Sequence, residues 1–291
     1  MHPAIEDMLK PYQCKNPGDY KNALKEIIQE IALLGLSRQG FFERAAFYGG
    51  SSLRIAHNLD RFSEDLDFTL LQPDPDYRLD LYLKGIEDEL RGYQLELQAE
   101  IVGKKTATPV TSAFLKGNTL RMLLAIDGLE NPASGTHVTE LIKVKIEIDT
   151  DPPQPSGHVE AHMQMKPIPF SIRILTLESL FAGKLHAILT RNYPSGRVKG
   201  RDYYDFAWFR ARNIIPDLPY LEAKLRQSGV WKSNADLTAE HVIKFVLRKL
   251  AAVNWEKAKE DVLPFLKDPF AVQAWSLDFF SRQVDALFHV I

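Results

Sequence analysis

The sequence contains a single cysteine, and this scarcity excludes two classes of protein. Among 291 residues only Cys14 is available, so an internal disulfide or a thiolate metal site cannot form. Such a chain is typical of a reducing compartment, and we expect a cytoplasmic location. No apolar run reaches the roughly 20 residues that a membrane-spanning helix needs. The N-terminus, MHPAIEDMLKPYQ, resembles neither an export signal nor a transit peptide, so we expect no membrane partner.

The sequence also has no large excess of either charge. Lys and Arg number 36 and Asp and Glu number 38, for a net charge of -2, so any nucleic-acid surface has to be local. The charges are unevenly placed, however. Residues 61–100 contain 11 acidic and 4 basic residues, whereas residues 181–212 contain 7 basic and 2 acidic ones. An acidic and a basic region on one chain suggest a metal ion at one and phosphate at the other.

Hydrophobic periodicity predicts an α/β (α+β) region followed by an all-helical region. Apolar residues recur with a helical period in residues 19–38. Alternation predicts strands in the segments 66–71, 94–102, 119–126, 141–150 and 170–175. After residue 176 the pattern is helical. We therefore expect one domain over residues 1–175 and a helical region over residues 176–291.

The segment FYGGSSLRIAHNLDRFSEDLDF, residues 47–68, carries the first candidate site. Gly49 and Gly50 allow a tight turn from a strand into a helix. Ser51 and Ser52 then lie at the helix N-terminus, where free N–H groups favour a phosphate. Asp65 and Asp67 alternate on a strand, so both face the same way, and a divalent cation would relieve their repulsion. A lone D-x-D is usually a solvated strand, but the combination with GGSS favours a site.

Three further segments carry candidate residues, each with an ordinary structural alternative. LIKVKIEIDT, residues 141–150, could place Glu147 or Asp149 beside the acid pair, or be a strand with a charged outer face. In LESLFAGKLHAILTR, Lys184 and Arg191 lie two turns apart on one face. They suit a triphosphate or an RNA backbone, or are simply solvated; the pattern gives Lys184 no buried partner.

The fourth segment, KGRDYYDF over residues 199–206, places Asp202 and Asp205 on one helix face. The alternative is that Asp202 caps the helix and that Asp205 pairs with Arg201. The sequence does not decide between Asp202 and Asp205 as the active-site acid.

Together, GGSSLR, SEDLDF, KIEI, GKLHAILTR and KGRDYYDF occur in an order that resembles the AbiEii/AbiGii nucleotidyltransferase-like toxins of bacterial toxin–antitoxin and abortive-infection systems. The resemblance covers roughly residues 25–210. It implies a mixed-sheet nucleotidyltransferase core of the DNA polymerase β type with a helical C-terminal part. It also implies a cognate antitoxin, and some mycobacterial relatives add nucleotides to the 3′ end of tRNA.

The resemblance implies a role for each candidate residue. Asp65, Asp67 and Glu147 would bind Mg²⁺, and the first two would be catalytic together with Lys184 and either Asp202 or Asp205. The nucleotide would be held by a second group of residues: Gly50, Ser51, Ser52, Lys184 and Arg191. The RNA acceptor, with tRNA as the expectation, would be held by the basic residues Arg197, Lys199 and Arg201. The family turn more often has Thr where this chain has Ser51.

Two alternatives stay open at this point. The same metal site could nucleotidylate or phosphorylate a partner protein instead of RNA. In a different class, the chain could be a non-catalytic RNA- or protein-binding module on a decayed scaffold. The intact acid pair and Lys184 argue against this second alternative.

Overall fold

The computed structural model describes residues 2–95, 97–101, 119–126, 142–192 and 196–289. The chain divides into two compact units. The sheet unit comprises Met1–Asn58, Phe62–Pro152 and Val159–Ile174. The helical unit comprises Leu59–Arg61, Pro153–His158 and Leu175–Ile291.

The described part of the sheet unit contains four α-helices and a seven-stranded mixed sheet. The helices are α1 (Pro3–Leu9), α2 (Pro17–Arg38), α3 (Gly49–His57) and α4 (Leu83–Gly92). The strands are β1 (Ala45–Tyr48), β2 (Asp65–Leu70), β3 (Leu97–Ile101), β4 (Thr119–Ile126), β5 (Ile142–Asp149), β6 (Val159–Gln164) and β7 (Phe170–Leu175). Their order across the sheet is β3-β4-β5-β2-β1-β7-β6.

The sheet is mixed because its central strands pair in both senses. β2 runs antiparallel to β1 and parallel to β5, and β1 pairs parallel with β7. Helix α2 and strand β5 contribute to the core of the unit. All five apolar positions predicted on α2 are buried: Leu24, Ile27, Ile28, Ile31 and Leu34. Alternate residues of β5 are buried as well.

The sequence located most of these elements but missed some boundaries. Strand β6 was not predicted, although its residues, VEAHMQ, alternate between apolar and polar; the alternation does not mark a buried face, because most of these residues are exposed. Three of the residues predicted to be in strands, 96, 102 and 141, lie outside the described residues. The sequence predicted one boundary, near residue 175. The helical unit also includes two short earlier segments, Leu59–Arg61 and Pro153–His158.

The described part of the helical unit consists of six α-helices with short 3-10 turns. They are α5 (Leu177–Thr190), α6 (Gly200–Ala211), α7 (Leu218–Gln227), α8 (Ala239–Leu250), α9 (Trp255–Val262) and α10 (Leu277–Asp285). Aromatic rings form much of their core: Phe181 stacks on Phe209 at 4.5 Å between centroids, and Trp255 stacks on Phe280 at 4.6 Å.

Helices α6 and α9 approach closely at Gly200. A Cβ at Gly200 would overlap the carbonyl of Ala258, so only glycine permits this contact. In the described part of the chain, no helix has both the length and the apolar character needed to cross a bilayer.

Candidate active site

Three acidic residues lie on two neighbouring strands in the middle of the sheet. Asp65 and Asp67 are both partly exposed on β2, while the intervening Leu66 is buried, so the two carboxylates share a face as predicted. The parallel register of β2 with β5 places Asp67 beside Glu147 and Asp65 beside Lys145. Asp149 lies farther along, beside Thr69. The pairing therefore favours Glu147 over Asp149 as the third carboxylate.

Lys145 stands among these acids. Its Nζ lies 3.0 Å from Glu147 Oε1 and 3.9 Å from Asp65 Oδ2. The ammonium offsets part of the repulsion between the carboxylates. The sequence predicted only a charged outer face for this strand and gave no role to Lys145.

The first residue of α3 lies directly against Asp67. Gly49 has φ +83°, and a Cβ there would overlap the Asp67 carboxylate. Both features require glycine. The resemblance to the family implied nucleotide binding by Gly50, which is the buried second residue of α3. Gly49, named in the sequence only as part of the turn, is a further functional candidate, and the GG pair was its signal.

The two serines of α3 differ from expectation. Ser51 is buried, and its hydroxyl donates to the backbone carbonyl of Asp65. This bond ties α3 to β2, so the proton is not directed to a phosphate. The Ser52 hydroxyl is also buried and has no hydrogen-bond partner among the described residues. No side chain caps the start of α3, so its backbone N–H groups are the donors suited to an anion.

The acid group has the right donors for a divalent cation. Carboxylate oxygens are the ligands that Mg²⁺ prefers, and the Asp65 side chain is 40% exposed, so it is accessible. Within the described residues, however, no three acidic, His or Cys side chains are arranged closely enough to enclose a metal ion. The type of ligand therefore suits Mg²⁺, whereas the described side chains, with Lys145 among them, are not assembled as a metal site.

A second charged cluster lies in the helical unit, around Lys184. Its Nζ is 2.6 Å from Asp205 Oδ2, and Asp205 is completely buried. Arg61 approaches the same carboxylate in a bidentate pair, with both N···O distances 2.6 Å. Although burial alone would raise the pKa of Asp205, Arg61 and Lys184 together hold it below its ordinary value.

These contacts correct two expectations. Lys184 has a buried partner after all, because its side chain is only 15% exposed and pairs with Asp205. Asp205 does not pair with Arg201 along the helix; Arg61, from 144 residues away, takes that place. The sequence carried no signal for this pairing, which depends on the tertiary fold.

Asp202, one turn before Asp205, connects Lys184 to Arg191. Its carboxylate lies 3.6 Å from Lys184 Nζ and accepts a hydrogen bond from the Arg191 guanidinium. Burial opposes ionisation, but Arg191, Lys184 and Lys199 lower the pKa of Asp202 to about 2. Lys184 and Arg191 therefore do share a face, as their spacing predicted, and Asp202 is the acid that joins them.

The predicted RNA-binding residues are only partly brought together. Arg197 and Lys199 line one cleft of the helical unit together with Arg191. Arg201 instead lies over the ring of Phe265, 4.1 Å from its centroid, and is not among the residues of that cleft.

The model of one protein family matches residues 31–286 of this sequence, and the family is described as "Nucleotidyl transferase AbiEii toxin, Type IV TA system". The chain belongs to the AbiEii nucleotidyltransferase toxin family. The match extends well past residue 210, where the resemblance seen in the motifs stopped, and it includes nearly the whole helical unit. No curated protein sequence matches the chain significantly.

Solved structures share the fold at low sequence identity. MenT4, a nucleotidyltransferase toxin from Mycobacterium tuberculosis H37Rv, is 16% identical, with a TM-score of 0.54 over 100% of this chain and 89% of that one. JHP933 from Helicobacter pylori is also 16% identical, with a TM-score of 0.50 over 91% of this chain and 89% of the other. These likenesses confirm the predicted nucleotidyltransferase fold with its mixed sheet and many helices.

As an AbiEii nucleotidyltransferase, the protein carries two groups of candidate residues, one in each unit. The acids Asp65, Asp67 and Glu147 lie on neighbouring strands of the sheet unit, and Asp67 lies against Gly49. The ion-paired cluster meets in the helical unit and consists of Arg61, Lys184, Arg191, Asp202 and Asp205. Arg61 was not among the residues predicted from the sequence. It lies between two motifs, and the sequence around it does not indicate which acid it pairs with.

Proposed function

We propose that this AbiEii protein transfers a nucleotidyl group from an NTP to the 3′ end of an RNA acceptor, namely tRNA, in a Mg²⁺-dependent reaction that blocks translation. The acceptor hydroxyl attacks the α-phosphorus of the NTP, the bond between the α-phosphorus and its bridging oxygen breaks, and pyrophosphate leaves. The family is a toxin family of a toxin–antitoxin system, so a cognate antitoxin would control the activity. The acceptor and the single cysteine both favour the cytoplasm as its location.

The observation that carries the proposal is the approach of Asp67 to Gly49 at the start of α3. It places a carboxylate pair next to an uncapped helix N-terminus, where backbone N–H groups favour phosphate. A nucleoside triphosphate needs both groups, one for its metal ion and one for its oxygens. An ordinary solvated strand does not require its carboxylate to contact a glycine with positive φ.

In the sheet unit, the residues that would hold Mg²⁺ are Asp65, Asp67 and Glu147. Bound Mg²⁺ supplies charge neutralisation for the triphosphate and for the leaving pyrophosphate. Gly49, Gly50 and the first N–H groups of α3 hold the β- and γ-phosphates. Ser51 positions Asp65 through its bond to the Asp65 carbonyl.

In the helical unit, Lys184 neutralises charge on the triphosphate. Asp205 and Arg61 hold Lys184 in place from the buried side, because Asp205 pairs with both. Asp202 orients Arg191. Phosphoryl transfer needs mainly positioning and charge stabilisation, so these residues are a sufficient set.

The reaction is tested with purified protein, bulk tRNA and NTP labelled at either the α- or the γ-phosphate. Label from the α-position in tRNA, and none from the γ-position, is the expected result. Asp67→Asn should abolish the transfer with little loss of stability, because removing one of two neighbouring negative charges relieves repulsion. Asp149→Asn is the matched control, since Asp149 lies on the same strand as Glu147 but beside Thr69.

Other distributions of label would assign a different reaction. Label from the α-position in protein indicates nucleotidylation of a partner, and label from the γ-position indicates phosphorylation. Full transfer by Asp67→Asn would remove the acid pair from the site. Calorimetry with Mg-ATP distinguishes a binding module, which would show no heat of nucleotide binding.

A further inference from the structure

The helical unit contains a basic cleft of which the family motifs include only one part. It has a volume of about 380 Å³ and lies between the end of α5, the start of α6, the end of α8 and the start of α9. Five of the described lining residues are cationic and one is acidic. The cations are Arg191, Arg197, Lys199, Lys249 and Lys257.

The cations around the cleft are only partly neutralised by the protein. The one acid, Asp202, is already shared by Arg191 and Lys184, and Arg197 reaches Asp261 at 3.4 Å. Within the described part of the chain, Lys199, Lys249 and Lys257 form no ion pair. Lys249 donates only to the backbone carbonyl of Arg191. Lys199 does lie near Asp202, but it shares that carboxylate with Arg191 and Lys184. The described lining therefore has an excess of positive charge, which favours an external anion.

Burial strengthens the preference for an anion near Lys199. Desolvation and the nearby Arg191 lower the pKa of Lys199 to about 8. A phosphate in the cleft would reverse this shift, because an anion stabilises the charged form of the lysine. The volume lies in the range of ordinary ligand sites, and apolar residues such as Val198 and Val253 complete the lining. This mixture suits a nucleotide unit better than a bare inorganic ion.

The cleft is adjacent to Lys184 but is not lined by it. Lys184 does not line the cleft, whereas Asp202 lines it and also contacts Lys184. Asp202 therefore connects Lys184 to the cations of the cleft. Lys184 is assigned to the triphosphate, and Arg191 was expected to bind the nucleotide as well, so we assign the other cations of the cleft to phosphate of the other substrate.

We propose that this cleft binds backbone phosphates of the RNA acceptor, with Lys249 and Lys257 as acceptor-binding residues. The inference rests on the proposed function for the identity of the acceptor. It assigns a role to α8 and α9, which the sequence motifs left without one. Arg197 and Lys199 keep the RNA-binding role expected from the sequence, whereas Arg201 lies outside the cleft.

The test measures binding of fluorescently labelled bulk tRNA by the full-length protein in EDTA and without NTP, so that no transfer is required. Lys249→Gln/Lys257→Gln is compared with Lys232→Gln/Lys244→Gln, two exposed lysines outside the cleft. Loss of two phosphate contacts should lower the slope of log Kd against log salt concentration by about 2 units. The control pair should keep the wild-type slope.

A second variant guards against a folding defect. Lys257 is exposed, so Lys257→Glu should fold normally, which a circular dichroism melt checks, and should still weaken tRNA binding. Calorimetry with Mg-ATP should give the wild-type Kd for all variants.

An unchanged salt slope in both cleft variants, or a wild-type protein that binds no tRNA, would overturn the inference. Weaker Mg-ATP binding with unchanged tRNA binding would also overturn it, and would assign the cleft to the triphosphate. If the cleft variants weaken tRNA binding but the wild type transfers no label to tRNA, only the proposed reaction fails.

Discussion

Lys184 offers the sharpest separation of a structural from a functional role. Lys184→Met keeps most of the side-chain volume and removes the ammonium that contacts Asp205 at 2.6 Å and Asp202 at 3.6 Å. Both carboxylates then still have an arginine, Arg61 for Asp205 and Arg191 for Asp202. No buried charge is left without compensation.

The expected loss of stability follows from this remaining compensation. It should be about 1.5–3 kcal/mol, the value of a charge-assisted hydrogen bond. Arg61→Met provides the comparison, since it removes the bidentate partner of a fully buried acid and should cost about 3–5 kcal/mol. The sequence pattern alone, with no buried partner for Lys184, would have led to a negligible effect.

Activity should fall much further than stability. Removing a preorganised charge from the transition state typically lowers the rate by about 10²-fold or more. Lys184→Arg should not restore full activity, because a planar guanidinium does not replace a compact ammonium between Asp202 and Asp205. Two measurements check this: urea denaturation, and single-turnover transfer from α-labelled NTP to tRNA under conditions where all variants are folded.

The reasoning would be refuted by either of two results. A stability loss below about 0.5 kcal/mol, typical of an exposed surface change, would mean that the ion pair with Asp205 contributes nothing. Near wild-type transfer by Lys184→Met would leave the residue with a structural role only. Lys244→Met, on an exposed face of α8, is the control for both measurements.

Two further predictions concern backbone strain and pH. Gly49→Ala should destabilise the protein by about 1–3 kcal/mol, because its φ of +83° and the Asp67 carboxylate both oppose a Cβ; Gly92→Ala, where a Cβ meets nothing within 4 Å, should be neutral in the same denaturation assay. Lys199 has a folded-state pKa lowered from 10.5 to about 8, so the folded state binds fewer protons than the unfolded state between these pH values, and stability should rise with pH across that window. Lys199→Met should therefore stabilise the protein at pH 7 by about 2–4 kcal/mol, and this gain should shrink toward pH 10; a gain that is constant with pH would contradict the assignment.

Local sequence patterns were enough to identify most of the sheet and the family. The alternation in β5 and the helical period of α2 both reflect burial of one face. These periods follow from the geometry of a strand and of a helix, whatever packs against that face. The same holds for Asp65 and Asp67, whose spacing of two on a strand fixes their shared face. These features depend only on neighbours along the chain, so a single sequence reveals them.

Other features depend on which strands and helices become neighbours in space. The choice of Glu147 over Asp149 follows from the parallel register between β2 and β5, and a shift of two residues would have reversed it. The pairing of Arg61 with Asp205 closes a separation of 144 residues. Such distant pairs leave no periodic trace in a sequence.

The cleft of the helical unit also depends on which helices become neighbours in space. Lys249 and Lys257 lie on different helices and join Lys199 only when α8 and α9 pack beside α5 and α6. Gly200 permits part of that packing, because a Cβ there would overlap Ala258. The sequence determined which residues were charged and which elements carried them. Packing of those elements decided which charges met, since it alone sets the distances and the burial on which electrostatic interactions depend.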